Sequence, residues 1–467
     1  MKHGRPPGRR SPRRTIALLT AALVAACGGD ETTTGPPPGP PPPPPPPPPV
    51  NREVLIQQVR TLAGQRNLDP ISAPAPVRPE LVELGRALAF DKILSGNRDI
   101  SCMTCHPPAF ATTDGRTLSI GQGATGVGPG RVHPDGIFIR RHAPPLFNLH
   151  LQKSFFWDGR VEELEDGSIA SPAGAQLTPQ MQAVFEFGAL SAVPMFPIAS
   201  RPEMRGDDGN ELAQRGDGDY TGMWSDLMAR IGAIGEYRTM FEDAYPGTSF
   251  SQMTFAHAGN AIAGFFVSEL SFADTGWDLF LRGDDDQLSN DQLEGALSFM
   301  NRRCMRCHLP DAFVDDLFHN VATPQLGPGS GDGPAGNDDF GREGVTADPA
   351  DRRTFKTPQL RNVELTAPYG HAGQFAELLT IVEHYDGIDD RLHEYDPTQV
   401  EAPLQATVLD NFDDILANRD TILIPIELDD GEAEKLTEFL RSMTDAAARD
   451  LTAIIPATVP SGLEVDG

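Results

Sequence analysis

The sequence predicts a mainly α-helical chain of two domains with long loops. Apolar residues recur at helical spacing in several segments, and convincing alternating strand patterns are scarce. Glycine (46) and proline (44) are abundant enough to punctuate the chain with many turns. The chain has 467 residues, enough for two or three domains, and 39% hydrophobic residues support a packed core. A net charge of −28 excludes a nucleic-acid binder.

Residues 1–26 read as an export leader. Lys2, Arg5, Arg9, Arg10, Arg13 and Arg14 precede an apolar run from Ile16 to Ala26, too short to span a bilayer permanently. The run ends in Leu23-Val24-Ala25-Ala26-Cys27, which resembles a bacterial lipobox and implies cleavage before Cys27 and lipidation of its sulfur. The alternative is an ordinary signal peptide with an incidental cysteine. Residues 27–50 form a tether. Pro40 to Pro49 is an unbroken proline run, a stiff polyproline II rod giving roughly 31 Å of stand-off at ~3.1 Å per residue. It would hold the folded part away from a membrane, and docking another domain is its rival use.

The folded part divides near residue 275, into 51–275 and 276–455. In the first domain a helix is predicted over Arg78 to Phe90, with Leu81, Leu84 and Leu88 on one face. In the second, Ser289 and Gln292 form a capping box that opens a helix carrying Leu293, Leu297 and Met300. A last helix is predicted from Gly431 to Met443, its apolar face made by Leu436, Phe439, Leu440 and Met443. The Gly/Asp-rich stretches 205–219 and 326–352 read as surface loops, and their aspartate spacing does not fit an EF-hand.

Each domain carries one Cys-x-x-Cys-His: Cys102-Met103-Thr104-Cys105-His106 and Cys304-Met305-Arg306-Cys307-His308. This spacing lets two thiols add to the vinyl groups of one haem while the adjacent histidine meets the iron. A zinc ribbon would place its cysteine pairs ~15–20 residues apart, and these lie about 200 apart. Disulfides would not explain a histidine after each pair. The expectation is therefore two covalently bound haem c groups, one in each domain, with His106 and His308 as iron ligands. Function then depends on the other face of each iron. Two protein ligands make an electron carrier, whereas an open position can bind peroxide.

Further motifs carry a family resemblance over most of residues 80–445. They are Leu84-Gly85-Arg86 through Phe90-Asp91, Leu94-Ser95-Gly96 and Ile100-Ser101-Cys102; Phe156-Trp157-Asp158-Gly159-Arg160; Phe355-Lys356-Thr357-Pro358 with Leu360-Arg361-Asn362-Val363; and Leu365-Thr366-Ala367-Pro368-Tyr369. In this order they closely resemble the bacterial di-haem cytochrome c peroxidase family, which includes MauG. The resemblance implies two c-type cytochrome domains packed on each other, a periplasmic enzyme with hydrogen peroxide as oxidant, a peroxidatic haem in the N-terminal domain, an electron-transfer haem in the C-terminal domain, and a homodimeric tendency. It places Trp157 between the haems, where an aromatic ring can relay electrons or simply pack. It also places a glutamate five residues after a Pro-Ile pair. Pro197-Ile198 is followed by Glu203 here, after an insertion around residues 166–190, and Glu203 becomes the acid/base that moves a proton between peroxide oxygens.

Three departures matter. Where the family reads SIGHG, with the histidine a removable distal ligand, this chain has Ser119-Ile120-Gly121-Gln122-Gly123. Gln122 is a poor iron ligand, so the first haem is expected to be open, with His133 and His142 as spare distal candidates. His142 stands where the family's inter-domain calcium uses an asparagine; Thr366 and Pro368, which offer carbonyls in the family, are retained, so calcium is left open. The second haem's distal ligand, a methionine in ordinary members, is Tyr385 here, as in MauG, with His384 the adjacent rival.

Three functions follow: a peroxidase fed by a small cytochrome c or copper protein, a MauG-like oxidase that uses peroxide to modify a protein, and a non-enzymatic electron carrier. Glu203 and an open first haem count against the carrier. The acidic surface favours a basic electron donor.

Overall fold

Each of the two CxxCH turns follows a helix whose glycine touches the backbone of a later helix. The computed structural model, which describes residues 51–423 and 426–466, gives the first as Pro79–Phe90, with proline in its first turn and Leu81, Leu84 and Leu88 buried. A Cβ on Gly85 would lie 1.9 Å from the carbonyl oxygen of Ala261. Only glycine therefore admits the helix Phe255–Glu269 at this distance. The second helix, Asn290–Asn301, is opened by the capping box: Ser289 N donates to Gln292 Oε1 at 2.9 Å, and Gln292 N to Ser289 Oγ at 3.2 Å. A Cβ on Gly295 would lie 1.9 Å from the carbonyl oxygen of Lys435 in the helix Glu432–Ser442. Both halves thus repeat one device, a glycine-mediated helix crossing beside the attachment turn.

The predominance of helix agrees with the sequence reading. Among the described residues the strands are short: Ser154–Phe155, Val161–Glu163 and Ile169–Ala170 form one antiparallel sheet, and Phe318–His319 pairs with Phe355–Lys356. The leader, Cys27 and the proline run lie outside the described residues.

Two principal hydrophobic cores form within the single compact unit of residues 50–467. The first gathers Leu81 to Leu270, but also takes Ala448, Leu451, Ile454 and Val459 from the end of the chain. The second gathers Trp277 to Met443 and takes Leu55, Ile56, Val59 and Leu68 from the beginning. Each end of the described residues thus packs into the half that is remote from it in sequence. Polar contacts fasten these exchanges: Arg60 pairs with Asp285 at 2.6 Å, Lys92 with Asp466 at 2.7 Å, and Ser461 Oγ donates to Asp91 at 2.6 Å.

Candidate active site: two cavities that share a tryptophan

The first attachment turn is one turn of α-helix, Cys102–Cys105, capped by Ser101 and Thr104. His106 N donates to Cys102 O at 3.1 Å, which sets the histidine directly after the cysteine pair. The second turn closes the same way, with His308 N on Cys304 O at 3.0 Å. In both, the imidazole Nδ1 meets a backbone carbonyl, Thr112 O at 2.8 Å and Phe313 O at 2.8 Å. Each bond fixes the tautomer and leaves Nε2 for an iron. Burial holds His106 neutral, down to about 4, and lowers His308 as well. The four cysteines form no disulfide. Burial pushes the Cys102 and Cys304 thiols up to about 12.

Each turn faces its own apolar cavity. The first, open in part to solvent, spans about 1400 Å³ and is lined by residues including Cys102, Cys105, His106, Trp157, Arg160 and Glu203. The second, about 1510 Å³, is lined by Cys304, Cys307, His308, Tyr385, His142 and Trp157. Free thiols, an imidazole with a free Nε2 and a large apolar space fit one haem c in each cavity. His142, Pro145, Trp157, Lys356, Pro358 and Gln359 line both cavities, so a single wall separates them. Lys356 Nζ donates to Gln152 Oε1 at 2.5 Å within this wall.

Glu203 sits in a single π-helical turn, Arg201–Arg205, of a kind that recurs at functional sites. Two glycine loops press on it. A Cβ on Gly96 would lie 1.9 Å from Arg205 O, and one on Gly121 would lie 1.7 Å from Pro202 O. Gly96 N donates to Met204 O at 2.8 Å, and Gln122 N donates to Glu203 O at 3.0 Å. Gln122 thus supports Glu203 through its main chain. Its side chain is off the cavity wall, with Oε1 accepting from Asn97 Nδ2 at 2.5 Å. His133 is also off the wall, its Nδ1 accepting from Asp135 N.

On the second cavity, Tyr385 is on the wall and His384 is not. His384 Nε2 lies 3.0 Å from Val321 O. Burial raises the Tyr385 phenol, and only a facing cation such as a ferric iron would favour its anion.

His142, Thr366 and Pro368 line one cavity but do not make a calcium donor set. Thr366 and Pro368 line the second cavity, but among the described residues no carboxylate does, and Arg303 and Lys356 bring positive charge. His142 offers a buried Nε2 without a hydrogen-bond partner, and burial holds its ring neutral, down to about 4. Calcium prefers oxygen donors, so this set does not fit it. Protein groups tie the junction instead. His142 N donates to His371 O at 2.9 Å, its Nδ1 meets Arg116 O at 2.9 Å, and its carbonyl accepts from Trp157 Nε1 at 2.9 Å. The buried guanidinium of Arg141 binds Asp158 at 2.5 Å and Asp339 at 2.7 and 2.9 Å. Sequence reasoning gave Arg141, Lys356 and Arg160 no role, although Lys356 and Arg160 stand inside the quoted motifs.

Two covalent-attachment turns, each facing a haem-sized cavity across a shared wall, define a di-haem c-type protein. The chain belongs to the di-haem cytochrome c peroxidase family, whose model matches residues 79–286. It is accordingly an oxidoreductase acting on peroxide. It is 30% identical to the methylamine utilization protein MauG of Methylorubrum extorquens over 315 residues, 66% of this chain and 69% of that protein. It is 29% identical to the cytochrome c551 peroxidase of Nitrosomonas europaea, over 69% of this chain and 77% of that protein. A crystal structure of a MauG-like protein associated with microbial copper homeostasis superposes with a TM-score of 0.55 at 25% identity, covering 81% of this chain and 95% of that one. The di-haem peroxidase BthA of Burkholderia thailandensis shares the fold, with a TM-score of 0.56 at 21% identity over 82% and 90% of the two chains. No helix among the described residues is long and apolar enough to cross a membrane.

Proposed function

We propose that this chain reduces hydrogen peroxide to water at the first haem, with electrons from a small cytochrome c or copper protein entering at the second. The observation that carries this reading is the asymmetry of the two cavities around Trp157. The first holds Glu203 and the second holds Tyr385. When bound, the haems would carry the donor's two electrons and supply the iron coordination site that peroxide needs. The chain supplies the proton path. Glu203 takes the proton from the near peroxide oxygen and returns it to the far one, which leaves as water when the O–O bond breaks. Two electrons and two further protons convert the remaining oxygen to a second water. Glu203 lines the otherwise apolar first cavity, and the indole of Trp157 offers the route by which electrons arrive.

Tyr385 on the second cavity favours a second reading, in which the same oxidising equivalents pass to a protein substrate, the MauG-like use. The leader and Cys27 support export to the periplasm with a lipid anchor, the proline run leaving the catalytic part within reach of donors. The deciding experiment mixes the as-isolated ferric protein with hydrogen peroxide in a stopped-flow spectrometer. Immediate spectral change at the first haem, followed by return on adding a reduced cytochrome, supports the peroxidase. Two haems inert to peroxide would make the chain an electron carrier. Changing Cys27 to Ser should move the protein from the membrane to the soluble fraction.

A further inference from the structure

Among the described residues Glu203 is the one carboxylate on the wall of the first cavity, and the cations around it are not equivalent. Arg141 is committed to Asp158 and Asp339. Lys356 is held by Gln152 and by the Thr357 carbonyl, and Arg140 reaches Asp158 at 3.9 Å. Arg160 is different. Its Nη1 lies 3.3 Å from both oxygens of Asp158, and its guanidinium carbon lies 3.6 Å from the centre of the Phe156 ring. Its other terminal nitrogen, Nη2, faces Glu203 Oε1 at 3.6 Å. Asp158 is itself buried and held ionised by its arginine partners: burial opposes its charge, and Arg141 and Arg160 more than offset it. The guanidinium is therefore clamped on one edge and one face, with its free edge turned to the carboxylate.

We infer that Arg160 is the positioning residue for Glu203: it holds the carboxylate in the cavity as an oriented proton acceptor for a ligand that arrives carrying a proton. This rests on the reading of Glu203 as the proton carrier. The π-helical turn fixes the Glu203 main chain, but a glutamate retains three side-chain torsions, and the charged group that faces its carboxylate is Arg160. A planar guanidinium already locked by Asp158 and Phe156 orients the carboxylate with little further loss of entropy, which a flexible lysine would not do. Arg160 touches no reacting atom in this scheme. Its effect passes entirely through Glu203.

Hydrogen cyanide tests this without turnover. It must give up its proton to a base as its carbon binds a ferric iron, so its association rate reports the acceptor alone. Wild type, Arg160→Lys, Arg160→Gln, Glu203→Gln and the double variant Arg160→Gln/Glu203→Gln are compared by stopped-flow, each checked first for two covalent haems and an unchanged Soret band. Arg160→Gln should slow cyanide binding and peroxide reaction together, by up to about a hundredfold, the loss that misplacing a reacting group by ~1 Å can cause. Arg160→Lys should recover part of the rate. The double variant should be no slower than Glu203→Gln alone, because a residue that acts through another loses its effect once that partner is gone. If Glu203→Gln slows both reactions and Arg160→Gln slows neither, or if the two losses multiply in the double variant, the inference is overturned. If Glu203→Gln slows neither, the underlying reading of Glu203 fails instead.

Discussion

Trp157 donates its indole N–H to the main-chain carbonyl of His142 at 2.9 Å, and both residues line both cavities. The hydrogen bond anchors the ring in the wall that both cavities share, so the proposed electron relay through Trp157 can be tested directly. Trp157→Phe keeps an aromatic ring but loses the N–H anchor and the larger π-system. We expect both haems to remain bound and the first haem still to react with peroxide. Electron transfer between the haems, followed by time-resolved absorption, should slow by about tenfold or more, equivalent to ~1.4 kcal/mol of barrier. Unchanged transfer would assign Trp157 to packing alone.

Glu203→Gln preserves the shape of the π-helical turn and removes the proton acceptor. Steady-state peroxide turnover should fall by ~10²–10⁴-fold with both haems and the melting temperature retained. Normal turnover would place the catalytic carboxylate elsewhere.

Tyr385 on the wall and His384 behind it predict different consequences for substitution. A phenolate ligand favours ferric iron, so Tyr385→Met should raise the potential of the second haem markedly in a spectroelectrochemical titration, because methionine favours the reduced iron. His384→Ala should leave that potential nearly unchanged. The oxidised wild-type protein should show mixed high-spin and low-spin signals in electron paramagnetic resonance and react with peroxide without pre-reduction. An all-low-spin protein that needs one electron first would return His142, with its unpartnered buried Nε2, to candidacy as a distal ligand.

Treatment with a calcium chelator should change neither the haem spectra nor the thermal unfolding of the purified protein. The second cavity wall carries no carboxylate among the described residues, and the buried Arg141 already joins Asp158 to Asp339 across the junction. A chelator-induced spectral change reversed by added calcium would show that the site binds the ion.

The glycine crossings should be the most sensitive packing points. Gly295→Ala places a methyl 1.9 Å from the Lys435 carbonyl, and Gly85→Ala does the same against Ala261. Helices must part to admit it, at a cost of about 1–3 kcal/mol. Calorimetry should record a lower melting temperature for each variant, whereas the exposed Gly64→Ala, where a Cβ meets nothing within 4 Å, should not lower it.

The two attachment turns, their histidines, the capping box at Ser289 and the two flanking helices could all be read in the sequence, because each is a local pattern written within a few consecutive residues. The helix Phe255–Glu269 was not. It is buried on nearly every face, so its sequence lacks the polar stripe that marks an amphipathic helix. Nor did periodicity reveal that Leu55 to Leu68 joins the second core and Ala448 to Val459 the first, since a pattern states which face is buried and not against what. The resemblance already preferred Tyr385 to His384 at the second haem, and the tertiary structure puts Tyr385 on that cavity's wall and His384 off it, one residue's rotation about a helix axis being enough to exchange them. Tertiary structure alone turned Gln122 from the first cavity and made its N–H a support for Glu203. It also brought Arg160 to Glu203 across forty-odd residues of chain. These are contacts between side chains remote in sequence, set by how packed elements are rotated against one another, and no local pattern encodes that rotation.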